Sequence, residues 1–326
     1  MAKIQPAVST ILINIPAKVG ENAGAGYLDL SQCASIVNRR FYRQGLNWAV
    51  AGFRCNQKGG ASGGRVTIEK LPETWVMSNA WHKSFALWRK QQSEALEASG
   101  QESVRAAFND FKIHMDTTHV TAGFANNLLP IKSGGDTFLD PTAGPTLTAE
   151  WQASQIVVPN SAADGSGSDV DPTEFFLHMV GTGVGAATSR GIIAGYGFSR
   201  SVPQSPDPAI VGTNTTGPNN WMRNMFDVGN DDSEVLENAA TRNDELPYPH
   251  LEYPGNGIMA AVLQLHAHTD VISTTTAVDN SFFMPGTQVP CGLLKFTNDT
   301  DSVLEIFVDL VPGHHRGYLC EPMQEF

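Results

Sequence analysis

The sequence predicts a mainly β protein, an antiparallel β-sandwich of about eight strands that carries helical insertions and long loops. Three observations lead there. Short apolar or alternating stretches recur along the 326-residue chain, each bounded by Gly, Pro, Asn or Asp. Few of them are followed by a helix able to return the chain to a parallel neighbour, which disfavours a doubly wound fold. Hydrophobic residues make up 41 % of the chain and charged residues only 17 %, so much of the surface is Ser, Thr, Asn, Gln and Gly. A surface so poor in charge is expected where other subunits cover it.

The strands are expected, in order, at LNWAVAGFRC (46–55) and GRVTIEKL (64–71), flanking the Gly-rich hairpin loop QKGGASGG, then at ASQIVVP (153–159), TEFFLHMVG (173–181), GIIAGYGFSR (191–200), GIMAAVLQLHAHT (257–269), CGLLKFTN (291–298) and SVLEIFVDLV (302–311). One helix stands out in SNAWHKSFALWRKQQSEALEASG, where Trp81, Phe85, Trp88 and Leu96 recur at helical spacing, Ser78 suits the N-cap and Gly100 the end. Its other face carries Lys83, Arg89, Lys90, Gln91 and Glu94. Further helices are expected at 103–115 and, short and acidic, at 232–244.

We read residues 1–326 as one domain, with a helical insertion over about 74–115 and long surface loops over about 130–150 and 201–256. The loops are rich in Pro, Gly, Thr and Asn yet keep anchors such as Phe138, Trp151 and Trp221. Strands as a shell and loops as outer surface and subunit contacts is the manner of jelly rolls. There is no internal repeat.

Cys33, Cys55, Cys291 and Cys320 lie far apart with no CxxC pair, so buried free thiols are expected and neither a zinc knuckle nor a disulfide framework is. The first apolar run, Val8 to Ile15, is interrupted by Ser9, Thr10 and Asn14 and ends at Pro16, too short to span a bilayer. The expectation is a protein made without a secretory signal and without a membrane partner.

Charge is distributed unevenly. Residues 1–90 hold 12 Lys and Arg against 4 Asp and Glu, a balance of +8; the remainder holds 9 against 29, a balance of −20, within a formal net charge of −12. Either one face meets a polyanion, or folding mixes the two parts.

Catalytic signatures such as GxSxG, the P-loop, HExxH and a Rossmann glycine fingerprint are missing. In LHAHT, His266 and His268 at strand spacing are expected on one face, the pattern of metal-binding cupins, but the carboxylate and third histidine a cupin needs are not at usable positions. No catalytic residue and no cofactor is expected. In FDVGNDDSE, Asp227, Asp231, Asp232 and Glu234 suit calcium by residue type without the EF-hand order, and capping of a following helix explains them as well.

The most informative stretch is NRRFYRQGLNW. Arg39, Arg40 and Arg43 adjoin Phe41, Tyr42 and Trp48, and guanidinium beside aromatic rings suits single-stranded nucleic acid, whose phosphates take the charge and whose bases stack. Lys58, Arg65 and Lys70 on the next hairpin extend the expected patch. The competing reading pairs these arginines with carboxylates at a subunit interface.

Taken in order, NRRFYRQG, LPETWVMSNAWHKSFALW, AGFANNLLP, SRSVPQSPDP, NWMRNMFDVGN and NDELPYP resemble the capsid proteins of small circular single-stranded DNA viruses that encode a replication initiator, the CRESS-DNA viruses. The resemblance spans roughly residues 27–300. It implies a viral jelly-roll coat protein, located in the virion, that self-assembles into an icosahedral shell of roughly 60 copies or a multiple, with circular ssDNA on the inner face and a host receptor outside. One departure is the start, MAKIQPAVSTILINIPAKVG, with only Lys3 and Lys18 where many related proteins carry a long arginine-rich arm. Genome packaging is then expected to rest on a folded basic surface, to be weak, or to depend on another component. The other function classes left open are a cupin-like metal-dependent enzyme and a cellular ssDNA-binding or assembly protein.

Overall fold

In the computed structural model of the chain, residues 7–58, 63–100, 103, 110–139, 151–158, 173–181, 189–199, 247–256, 263–272 and 279–323 are described. The elements are β1 (Thr10–Ile15), β2 (Gly24–Asp29), α1 (Leu30–Asn38), β3 (Leu46–Lys58), β4 (Gly64–Lys70), α2 (Trp75–Ala98), α3 (Thr117–Ala122), β5 (Gln155–Val158), β6 (Thr173–His178), β7 (Ser189–Gly191), α4 (Ile192–Ser199), β8 (Gln264–Val271), β9 (Asp279–Val289), β10 (Leu293–Asn298), β11 (Leu304–Leu310), β12 (Pro312–Gly313), β13 (Gly317–Tyr318) and β14 (Cys320–Pro322). The chain is mainly β and its large sheets are antiparallel, as a β-sandwich requires.

Alternation decides which residues build the core. In β11, LEIFVDL, every second residue from Leu304 to Leu310 is buried, and β1 buries Ile11, Ile13 and Ile15. One sheet runs β1–β11–β3, with β3 long enough to pair also with β9 and, at its start, β14. The other runs β2–β10–β4–β8. Between them Phe53, Val66, Ile68, Met284, Leu294, Phe296, Ile306 and Val308 form a shared core. A second core lies under α2, where Val76, Met77, Ala80 and Trp81 meet Phe111, Ile113, Met115, Leu177, Met179 and Ile193. Here β5, β6 and β7 make a small sheet whose β6–β7 pairing is parallel.

The strands expected at 46–55, 64–71, 153–159, 173–181, 291–298 and 302–311 appear as β3, β4, β5, β6, β10 and β11, and β8 occupies the second half of the stretch expected at 257–269. Residues 191–200 do not: after Gly191 they form α4, because IIAGYGF is apolar on all sides and alternation cannot separate a buried helix from a buried strand. The sequence reading passed over β1, β2, α1 and β9. Pro285 and Gly286 make β9 look like a break, but Gly286 is where the β3 backbone approaches closely; a Cβ there would lie 2.2 Å from the Val50 carbonyl oxygen. The N-cap of α2 is Thr74, whose hydroxyl accepts from Met77 N, and Ser78 lies inside the helix. Of the helix expected at 103–115, residues 104–109 lie outside the described ones, and Phe111–Met115 is not helical, with His114 bridged to His178. The helix expected at 232–244 lies outside the described residues, as does most of the loop at 201–256. Cys33, Cys55 and Cys291 are buried free thiols and Cys320 is half-buried. No described helix is long and apolar enough to cross a membrane.

Candidate nucleic-acid interface

The arginine stretch is the turn between α1 and β3, and α1 shapes it. Asp29 caps the helix, its carboxylate accepting from Ser31 N (2.9 Å) and Gln32 N (3.3 Å). Arg39 closes the other end in the left-handed conformation at φ 53°, a place more often held by glycine or asparagine. The turn is then tied back to the helix: Tyr42 N donates to Ser35 Oγ (3.0 Å), and Ser31 Oγ donates to the Arg43 carbonyl (2.9 Å). Gln44 anchors its far side, donating to Asp29 Oδ2 (3.1 Å) and the Ile113 carbonyl (3.0 Å) while accepting from Ile113 N (2.6 Å). Asp29 is wholly buried, and burial raises its pKa to about 6 against the lowering by its hydrogen bonds from Gln44, Gln32, Trp151 and Ser31.

The structure divides the cluster. Arg39 and Arg43 are exposed, Arg40 and Phe41 half-buried. Tyr42 and Trp48 are not surface rings: both are fully buried, 5.8 Å apart and each tilted against Tyr318, because they fall on the inward side of the sandwich. Two of the three aromatics expected to stack on bases therefore fill the core. Arg39 donates to the Phe138 carbonyl (2.8 Å), and Arg40 keeps a buried Nη1 without a hydrogen-bond partner.

Arg65 and Lys70 do not join this surface. Both lie on β4 in the other sheet, where Arg65 pairs with Asp270 (2.8 Å) and buried Lys70 donates to Glu73 (2.8 Å), Thr287 Oγ1 (2.7 Å) and the Gln288 carbonyl (3.2 Å). Lys58 ends β3, and only its backbone is described. Lys18 with Asp299 and Arg54 with Asp309 repeat the pattern, so folding ties several cations of the first ninety residues to carboxylates of the acidic remainder.

What the turn gains comes from far along the chain. Arg316, itself left-handed at φ 51°, donates through Nη1 to the Phe41 carbonyl and accepts from the Tyr42 hydroxyl at its own carbonyl (3.0 Å). His315 beside it is held below the ordinary imidazole range by burial and by the guanidiniums of Arg316 and Arg43. Across from them stand Trp81 and Phe85 of α2, stacked at 5.2 Å, with Phe111 edge-on to Trp81 at 5.9 Å. These groups surround a pocket of about 350 Å³. The sequence reading missed Arg316, His315, Trp81, Phe85 and Phe111 as site residues. HHRG at 314–317 was a basic signal in plain view, while the rings of α2 read as a packing face, which they also are.

The two histidines of β8 are separated. A bulge opposite Ile68 and Glu69 shifts the alternation, so His266 reaches the facing sheet, with Nε2 2.8 Å from the Pro285 carbonyl and its ring 5.9 Å from Phe53, whereas His268 is exposed on the side of Asp270. The expectation of a shared face is corrected. Asp227, Asp231, Asp232 and Glu234 lie outside the described residues, and among those described no group of three or more His, Cys, Asp or Glu is placed to hold a metal ion.

Titratable groups gather instead between β6 and α3. His114, His119 and His178 are buried, their pKa values lowered to about 3, 4 and 4 by burial first of all. The His119 ring accepts from Met115 N (3.0 Å), faces Asn127 Oδ1 (2.9 Å) and stacks on Tyr27 at 4.3 Å. Asp116 accepts from the Tyr27 hydroxyl (2.8 Å) and lies 3.6 Å from Lys295. Comparison of the chain with protein-family models, with curated proteins and with solved structures returns no match.

Proposed function

We propose that the chain is the capsid protein of a small circular single-stranded DNA virus, a jelly roll that assembles with copies of itself into a closed icosahedral shell around its genome. The observation that carries this reading is strand order. Counting β1 to β4 and β8 to β11 as first to eighth, one sheet runs first, eighth, third, sixth and the other second, seventh, fourth, fifth. First pairs with eighth, second with seventh, third with sixth and fourth with fifth, the pairing of a long hairpin rolled into two sheets, and this pairing supports the jelly-roll reading. Lectins and cupins share that winding, so the fold alone does not choose among them. The choice is supported by the insertion under α2, by the basic turn, and by large apolar side chains left in solvent, among them Phe283, Ile272, Leu265 and Trp75, which obligate neighbours would cover.

In this reading the turn at Arg39–Arg43 faces ssDNA, the acidic remainder builds the outer surface and receptor contacts, and the protein resides in the virion. A cupin-like enzyme draws no support from His266 and His268, which face opposite ways. Negative-stain electron microscopy of the purified chain tests the proposal: uniform closed particles are expected, and a stable monomer at micromolar concentration in physiological salt sinks it. A monomer that still binds ssDNA favours the cellular ssDNA-binding protein instead.

A further inference from the structure

The pocket between the arginine turn, α2 and the C-terminal turn combines two chemistries. Its walls are the rings of Phe41, Trp81, Phe85 and Phe111, and its charges are the guanidiniums of Arg43 and Arg316; no carboxylate is among its described lining residues. In a chain with 33 acidic residues against 21 basic ones, such a lining excludes cations and draws anions. A volume of about 350 Å³ sits at the lower end of the range for small-molecule sites. Of Arg316's five N–H donors, one goes to the Phe41 carbonyl, which fixes the guanidinium at the rim beside the Phe41 ring.

We propose that this pocket binds one nucleotide, the flat base among the rings and the phosphate on Arg43 and Arg316. Rings without charge would take a neutral aromatic, and arginines without rings would take inorganic phosphate; only a ligand with both parts satisfies both walls. The nucleotide comes either free from solution or as one unit of a bound strand, and the second source rests on the reading of the chain as an ssDNA-packaging protein.

The test is calorimetric titration of the full-length chain with dAMP, deoxyadenosine, inorganic phosphate and the octanucleotide (dT)8. dAMP is expected to bind, with deoxyadenosine and phosphate each weaker by about tenfold or more. Arg43→Gln and Arg316→Gln, at exposed positions that leave the far-UV spectrum unchanged, each weaken dAMP by about tenfold or more, while Phe41→Ala weakens dAMP and leaves phosphate unchanged. Displacement of dAMP by (dT)8 identifies a strand unit as the ligand; dAMP binding that both arginine variants abolish and (dT)8 does not compete for identifies a free nucleotide. Binding of dAMP no tighter than phosphate, or unchanged in both arginine variants, overturns the proposal, and closed particles that still package DNA would then leave the capsid reading standing. Conversely, arginine-dependent dAMP binding by a chain that stays monomeric keeps the pocket and removes the shell.

Discussion

Between the two sheets and beneath α2 lie two cores alike in their apolar side chains and unlike in what else they bury. The sandwich core is Ile, Leu, Val, Phe, Trp and Tyr drawn from strands on both sides. The core under α2 is flanked by His114, His119 and His178, together with Asp116 and Lys112, buried to similar depth. Apolar burial depends little on pH, whereas a histidine kept neutral by burial stabilises the fold only while the solvent does not favour its protonation. The sandwich core is therefore expected to tolerate acid, whereas the backbone pairing around His114 and His178 is expected to depend on pH.

Acid separates the two most strongly. All three histidines have folded pKa values, about 3, 4 and 4, below the ordinary 6.5, so their contribution is complete above about pH 6.5 and is lost as the pH falls towards 4. A pKa displaced by one pH unit corresponds to about 1.4 kcal/mol, so displacements of this direction at three buried sites make acid the largest expected effect. Asp29, raised to about 6, works in the opposite direction and offsets part of that. Hydrogen exchange is expected to show the amides of Ile113, Met115 and Met179 losing protection between pH 6.5 and 4 while those of β1 and β11 keep theirs; loss in step across both cores contradicts the comparison. His178→Leu, which removes two buried ring nitrogens lacking hydrogen bonds, is expected to flatten this acid response.

Next in size is the sandwich core itself. Phe53→Ala, at a fully buried ring packed edge-on to Phe296, is expected to cost about 3–5 kcal/mol in urea unfolding, equally at pH 7 and pH 5. A pH-dependent cost would mean that the two cores are coupled. The smallest effect belongs to the surface. Arg54 and Asp309 make two hydrogen bonds of 2.8 and 2.9 Å across β3 and β11, yet the arginine is half exposed, so a double-mutant cycle is expected to return about 0.2–1 kcal/mol. A larger value would indicate that a neighbouring subunit buries the pair.

By itself the sequence determined the sheets wherever alternation was clean. In β3, β4, β10 and β11 the period of two is written into consecutive residues, and turn chemistry at Gly, Pro and Asn marks their ends, so each could be read locally. It also determined that positive charge gathers at Arg39, Arg40 and Arg43. Tertiary structure alone decided the rest. Only the close approach of Val50 shows that Gly286 continues a strand, and only the burial of Ile192, Ile193 and Ala194 against the core under α2 shows that this apolar run is a helix. Only the folded sandwich takes Tyr42 and Trp48 into its core and leaves Phe41 and Arg43 at the pocket. Arg316 meets Phe41 across 275 residues of chain, and Trp81 faces both because the insertion folds back over the turn. Nothing local encodes such a meeting, because it depends on which strands pair, and pairing is settled by the burial of the whole sandwich rather than by any stretch of it.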